Sequence, residues 1–194
     1  MATIPVHELT RSQAARRERV VRAAMELASE GGYDAVQMRD VAARAHVALG
    51  TIYRYFSSKD HLLAAGLVEW VGDLNKRIQD RQLHGSSNLD RLLEILRAST
   101  GSLERDPAMG AAMVTAITSP DPSVSECQQA VSDAMVEILS VAIVTDEIER
   151  KDGIISVLLH VWFSSLLGWV NGWRNVSTVG QELETAARLL CEAL

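Results

Sequence analysis

The chain has 194 residues, 47% of them hydrophobic, and a formal net charge of −6. This is enough apolar material for one sizeable core, or for a small domain fused to a larger one, and it describes a soluble globular protein. Cys127 and Cys191 stand far apart with no second Cys or His at ligand spacing, which argues against a disulfide framework and a zinc site.

The start, "MATIPVHELTRSQAARRERVV", is polar and lacks the basic, apolar and small-residue sequence of a secretory signal, so the cytoplasm is the expected location. Charge is uneven along the chain. Residues 1 to 60 carry nine Arg and Lys against seven Asp and Glu, whereas residues 61 to 194 carry ten against eighteen. A mildly basic head on an acidic body suits a protein whose head alone meets phosphates.

Helical periodicity dominates, broken by Gly, Pro and Ser clusters at "EGGYD", "HGSSN", "RDP", "SPDPS" and "RNVST". The first helix, "RERVVRAAMELASEGG", has an inward stripe of Val20, Val21, Ala24, Leu27 and Ala28, with Gly31 or Gly32 as its left-handed cap. A short helix carrying Met38, Val41 and Ala42 follows, then a four-residue break, "AHVA", and a second short helix. This is the pattern of a helix-turn-helix.

With Leu49 to Phe56 placed on a helix at about 100° per residue, Ile52 and Phe56 share the inward face. Gly50, Thr51 and Arg54 point outward, and Tyr53 and Tyr55 lie on the flanks. Such a helix in a DNA major groove would set short side chains and an arginine against base edges, with a phenol at each wall. Ser57 or Ser58 caps the next helix, whose first amides and Lys59 can meet a phosphate.

Downstream, Asn88 is expected to cap a helix through Leu89, Leu92, Leu96 and Leu103, and Asp121 with Pro122 to open another containing Val131, Met135, Ile138 and Leu139. Two last helices give about nine in an all-α chain. Residues 154 to 173 contain no charged residue and reach the length of a membrane span. His160, Ser164, Ser165, Asn171 and two glycines argue instead for a helix buried in a protein core or subunit interface.

On that helix Ile155, Leu159, Trp162, Leu166, Trp169 and Trp173 form a bulky stripe, expected to face the chain's own interior. Beside it Ile154, Leu158, Val161, Ser165, Gly168 and Gly172 form a tapering one, expected to face a second subunit. Candidates for an apolar effector pocket are Trp70, Leu74, Leu92, Leu96, Leu103, Met109, Met113, Trp162, Leu166 and Trp169. His160 with Ser164, Ser165 and Asp152 could suggest hydrolase chemistry. No nucleophile elbow accompanies them, however, and a core histidine explains His160 more simply.

Taken in order, Gly32-Tyr33, Val41-Ala42, Ala45, Val47, Gly50-Thr51, Tyr53, Tyr55-Phe56, Lys59 and Leu62 resemble the DNA-binding domain of the TetR family of bacterial transcriptional regulators. The family usually has Gly where His46 stands and often Ser where Ala48 stands. His tolerates a left-handed turn, and loss of a serine cap costs on the order of 1 kcal/mol.

The resemblance implies a helix-turn-helix domain over residues 1–57 and a helical effector-binding and dimerisation domain over 58–194. It also implies phosphate contacts from Thr51, Tyr53, Tyr55 and Lys59, and base-edge contacts from Gln37, Arg39, Leu49, Gly50 and Arg54. Subunit pairing would use the last two helices, through Val161, Ser165, Gly168, Gly172, Leu183, Ala187 and Leu190. Stretches such as "GTIYRYF" and "VWFSSLLGWV" are similar to the cholesterol-catabolism repressors of actinobacteria. Together these imply a homodimeric repressor on a palindromic operator, a steroid, acyl-CoA or similar hydrophobic effector, no cofactor or metal, no membrane and no enzymatic activity.

Overall fold

The computed structural model describes residues 9–80 and 83–191. The polar start read above lies outside this range up to residue 8. Among the described residues there are nine α-helices and no strand: α1 (Arg11–Ala35), α2 (Met38–Arg44), α3 (Leu49–Ile52), α4 (Lys59–Gln79), α5 (Asn88–Arg105), α6 (Pro107–Ile117), α7 (Ser125–Ser140), α8 (Ile148–Val170) and α9 (Val176–Cys191). The described residues form two compact units, 9–69 with 106–130, and 70–80 and 83–105 with 131–191.

In the first unit α1 packs against α6 and, at its far end, α2. Thr10 and Gln13 close a capping box at its start. Its regular geometry ends at Gly31 and Gly32, and Gly32 takes the left-handed conformation at φ 71°. Val20, Ala24, Val41, Ile52, Phe56, Leu62 and Leu63 are fully buried and fill the core. Gly66 lets α4 lie close to α1, since a Cβ there would sit 2.5 Å from Met25 Sδ.

In the second unit α5 and α8 both pack against α9. The expectation that Asn88 caps α5 is corrected. Ser87 is the cap, with its Oγ accepting from the Asp90 amide at 3.1 Å while the Ser87 amide donates to Asp90 Oδ2 at 3.2 Å. Asn88 instead clasps the backbone after α7, accepting from the Val144 amide and donating to the Val144 carbonyl, both at 3.1 Å. Arg91 completes this clasp by donating to the carbonyls of Ala142 and Gly85 at 3.0 and 3.2 Å and to Asn88 Oδ1 at 2.5 Å.

Asp121 opens the segment leading into α7 through a one-turn 3-10 helix at Pro122–Val124, accepting from the Ser123 amide at 2.9 Å. Helix α8 has the length and apolarity of a membrane span, yet Ile154, Ile155, Leu158, Trp162, Ser165 and Gly168 are buried within its own unit. Replacing Arg91 by Ala should leave these carbonyls short of donors. The expected loss is about 2 kcal/mol of stability, and a melting temperature lower by about 4 to 8 °C in a thermal unfolding scan.

Candidate nucleic-acid interface

The turn between α2 and α3 depends on one residue with positive φ. His46 sits at 53°, where its amide donates to Ala43 and that of Val47 to Ala42. Ala48 stands at the N-cap of α3 without a side-chain bond, as its lack of a hydroxyl requires. Arg44 donates to both carboxylate oxygens of Glu30, at 2.5 and 3.0 Å, and ties the end of α2 to α1.

The reading of Leu49 to Phe56 as one α-helix is corrected. Regular α3 ends at Ile52, after which the Tyr55 amide donates to the Ile52 carbonyl at 2.8 Å, a tighter three-residue closure. The Phe56 amide donates to the same carbonyl at 2.9 Å, and the tightened turn carries Tyr55 to the buried side with Ile52 and Phe56. Tyr55 is 3% exposed and its buried hydroxyl has no partner. It is therefore a core residue, and the expected phosphate contact from Tyr55 does not hold.

The other expected DNA residues remain accessible. Gln37, Arg39, Gly50, Tyr53 and Arg54 are exposed, and Leu49, Thr51 and Lys59 are partly so. Gln37 Nε2 donates to the Asp34 carbonyl at 2.9 Å. No Cβ contact lies within 4 Å of Gly50, so the backbone there is open to a close approach.

Behind this surface sits a polar node that sequence reasoning missed. Ser58 is the α4 cap, with Oγ accepting from the His61 amide at 3.1 Å and donating to Asp121 Oδ2 at 2.7 Å. Asp60, in the first turn of α4, accepts from the Tyr33 hydroxyl and from Ser119 Oγ, the latter at 2.6 Å. Burial, and then the carboxylate of Asp60, push the Tyr33 phenol up to about 12. The bond from Ser58 and those from Ser123 hold the Asp121 carboxyl below its ordinary value.

Lys59 donates to the Tyr33 carbonyl at 3.2 Å and lies 3.7 Å from the centre of the Tyr33 ring. Only the capping signal of "SSKD" was visible in the sequence, because its partners are 26 to 63 residues away. Arg17 lies 5.0 Å over Phe56 and pairs with Glu69 at 2.6 Å, bracing the segment after α3 from α1.

In the second unit, the expectation that Ser165, Gly168, Leu183 and Ala187 face another subunit is also corrected. Ser165 is 1% exposed and donates to Glu182 Oε2 at 2.5 Å, while Leu183 and Ala187 are fully buried. A Cβ on Gly168 would meet the Arg174 side chain at 3.0 Å. The small residues admit the chain's own α9 and Arg174, so they are spent inside one subunit. Val161 and Leu190 are half-buried, and Gly172, at φ 74°, is exposed after the end of α8.

Leu74, Leu92, Leu96, Leu103 and Trp162 are buried in the second unit, with Trp70, Leu166 and Trp169 half-buried there. Met109 and Met113 belong to the first unit. His160 is exposed with Nδ1 2.6 Å from the Ser156 carbonyl, so it is not a core histidine, and Ser165 is bonded to Glu182 rather than to it.

Two substitutions separate core from interface. Tyr55→Phe removes a buried hydroxyl that has no partner, so the melting temperature should hold or rise. Asp60→Ala leaves Tyr33 and Ser119 without their acceptor and should lower stability by about 1 to 3 kcal/mol in denaturant titration.

The sequence profile of bacterial regulatory proteins of the tetR family matches residues 20–65, and that of the tetracyclin repressor-like C-terminal domain matches residues 85–190. The chain is 36% identical to the HTH-type transcriptional repressor KstR of Rhodococcus jostii over 92% of its own length and 84% of that protein's. It superposes with a TM-score of 0.78 and 32% identity on a TetR transcriptional regulator from Rhodococcus sp. RHA1, covering 92% of this chain and 97% of that one. FadR of Thermus thermophilus, a TetR-family transcriptional repressor solved with lauroyl-CoA, matches at a TM-score of 0.70 and 25% identity, over 92% and 94% of the two chains. A filled helix-turn-helix core under an exposed Tyr53–Arg54 edge, with both profiles matched in order, places this chain in the TetR family of bacterial transcriptional regulators.

Proposed function

We propose that the protein is a cytoplasmic repressor that binds a palindromic operator as a homodimer and leaves it when a hydrophobic, acyl-CoA or steroid-like effector binds. The observation that carries this reading is the division of labour after His46. Ile52, Tyr55 and Phe56 fill the interior, whereas Tyr53 is 40% exposed, and Arg54 and Gly50 are exposed beside it with no internal role. Thr51, Tyr53 and Lys59 then serve the phosphates, and Gln37, Arg39, Leu49, Gly50 and Arg54 the base edges. Lys59 spends one of its three N–H donors on Tyr33, leaving two for a phosphate.

Lys59→Ala should weaken binding to all duplexes alike and lower the salt slope by about one unit, while Arg54→Ala should relax sequence preference. Fluorescence anisotropy on several duplexes over a salt series separates the two. Equal, unchanged binding by Tyr53→Phe and Lys59→Ala would contradict the docking.

A recognition segment this short reads few base pairs, and two copies on a two-fold axis supply the rest. The residues buried above leave a different face for pairing, an open cleft of about 700 Å³ between α8 and α9, lined in part by His160, Val161, Ser164, Ala186 and Leu189. Leu189 is 66% exposed on this face. Leu189→Arg should yield folded monomers in sedimentation. A dimer of unchanged affinity would place the interface elsewhere.

A related repressor solved with lauroyl-CoA supports an acyl-CoA effector here, and the resemblance of "VWFSSLLGWV" to cholesterol-catabolism repressors supports a steroid-like one. Helix α4 contributes Lys59 to one unit and Trp70 and Leu74 to the other, so a ligand beside its second half has a route to the first. Such linkage is worth about 1 to 3 kcal/mol, or about 5- to 150-fold in operator affinity, and must be reciprocal.

A further inference from the structure

The described arginines of the second unit fall into two groups. Arg91 is held by two carbonyls and Asn88, Arg97 and Arg188 by Glu184, Arg150 by Glu147, and Arg174 by Glu182. Arg77 and Arg105 have no carboxylate partner among the described residues, and the two line the same recess, a cleft of about 240 Å³ between the second halves of α4 and α5. Its floor is Leu74 and Ile78, 3% and 4% exposed, with Ala98 and Ser102 at the side. Arg105 donates to Ser102 Oγ at 2.6 Å, so the hydroxyl orients one guanidinium without neutralising it.

We infer that this cleft is the subsite for the anionic head of the effector, a carboxylate or phosphate carried on an apolar body. The inference rests on the effector-release reading above and specifies the ligand chemistry within it. Arg77 and Arg105 are both exposed and line one recess with an apolar floor, so an anion held there can accept charge-assisted hydrogen bonds from both guanidiniums. The volume is below the roughly 300 to 1,000 Å³ of a pocket for a whole small-molecule ligand, so it takes a head and not a body. Both residues stand in the last turns of their helices, where the helix dipole favours a cation. That accounts for how each stands without a carboxylate, but not for both lining one recess.

The test uses the full-length protein with lauroyl-CoA, laurate and the neutral alcohol dodecanol, read by calorimetry and by release of operator DNA. Wild-type protein should bind at least one anionic probe more tightly than dodecanol. Preference for lauroyl-CoA assigns the cleft to a phosphate, and preference for laurate to a carboxylate. Arg77→Gln and Arg105→Gln should each weaken the preferred anion about tenfold, the double variant more, with dodecanol affinity and effector-free DNA binding unchanged. An Arg77→Ala/Arg105→Ala protein repeats the measurement without the amide groups. If both double variants bind the anion as tightly as wild type, and only their melting temperatures fall, the arginines serve the helix ends and the subsite is refuted. Wild-type protein that binds none of the three probes overturns the effector class as well as the subsite.

Discussion

The Asp60 carboxylate is the contact on which the DNA-facing unit turns. One oxygen accepts from Tyr33, just beyond the regular end of α1, and the other from Ser119, in the turn after α6. Two residues earlier, Ser58 caps α4 and donates to Asp121 in that same turn. Three chain segments distant in sequence therefore meet at the first turn of α4. Because a helix direction is set by its first turn, fixing it sets the direction from which α4 supports the helix-turn-helix. Apolar packing of Ile52, Phe56, Leu62 and Leu63 supplies the cohesion, and the directional bonds select the orientation.

Lys59 belongs to this node, and the proposed docking asks a second role of the same ammonium. It lies against the Tyr33 ring and carbonyl, and it stands at the start of α4, where a backbone phosphate is best received. In that docking, operator binding would act on the same node that holds the turn after α6. In the proposed docking, a phosphate that drew Lys59 away from Tyr33 would change the surroundings of Asp60 and so couple DNA occupancy to this turn. The second unit carries a different organisation, in which α9 is the common partner of α5 and α8, and Arg97 and Glu184 add a surface link between α5 and α9 at 2.8 Å. Exposed pairs of that kind are worth little alone, so its stability rests mainly on Leu92, Leu96, Leu158, Leu183 and Ala187.

Local grammar made most of the fold legible in the sequence. Helical spacing, the Gly31-Gly32 break, the Asp121-Pro122 opening and the uninterrupted "GTIYRYF" stretch each report on neighbours within a few residues. What failed were inferences that needed the exact pitch or the far partner. Tyr55 was misplaced because it lies about 60° from Ile52 on a regular wheel, at the edge of the inward face, where a slight tightening after Ile52 decides burial. The stripe of Ser165 and Gly168 was assigned to a second subunit because small residues signal close approach without naming what approaches. Here it is α9, with Glu182 and Arg174. Asn88 and Ser87 are adjacent potential caps, and only the position of Val144 explains why the serine caps the helix while the asparagine binds a loop.

The central claim is that two copies of one exposed edge, built around Gly50, Tyr53 and Arg54, read DNA from the same face of the duplex. The most direct measurement is footprinting of the purified wild-type protein on fragments selected from genomic DNA. The account predicts two protected half-sites related by a dyad, their centres separated by a whole number of turns of about 10.5 base pairs. Protection of a lone half-site, or uniform protection without sequence preference, would contradict it.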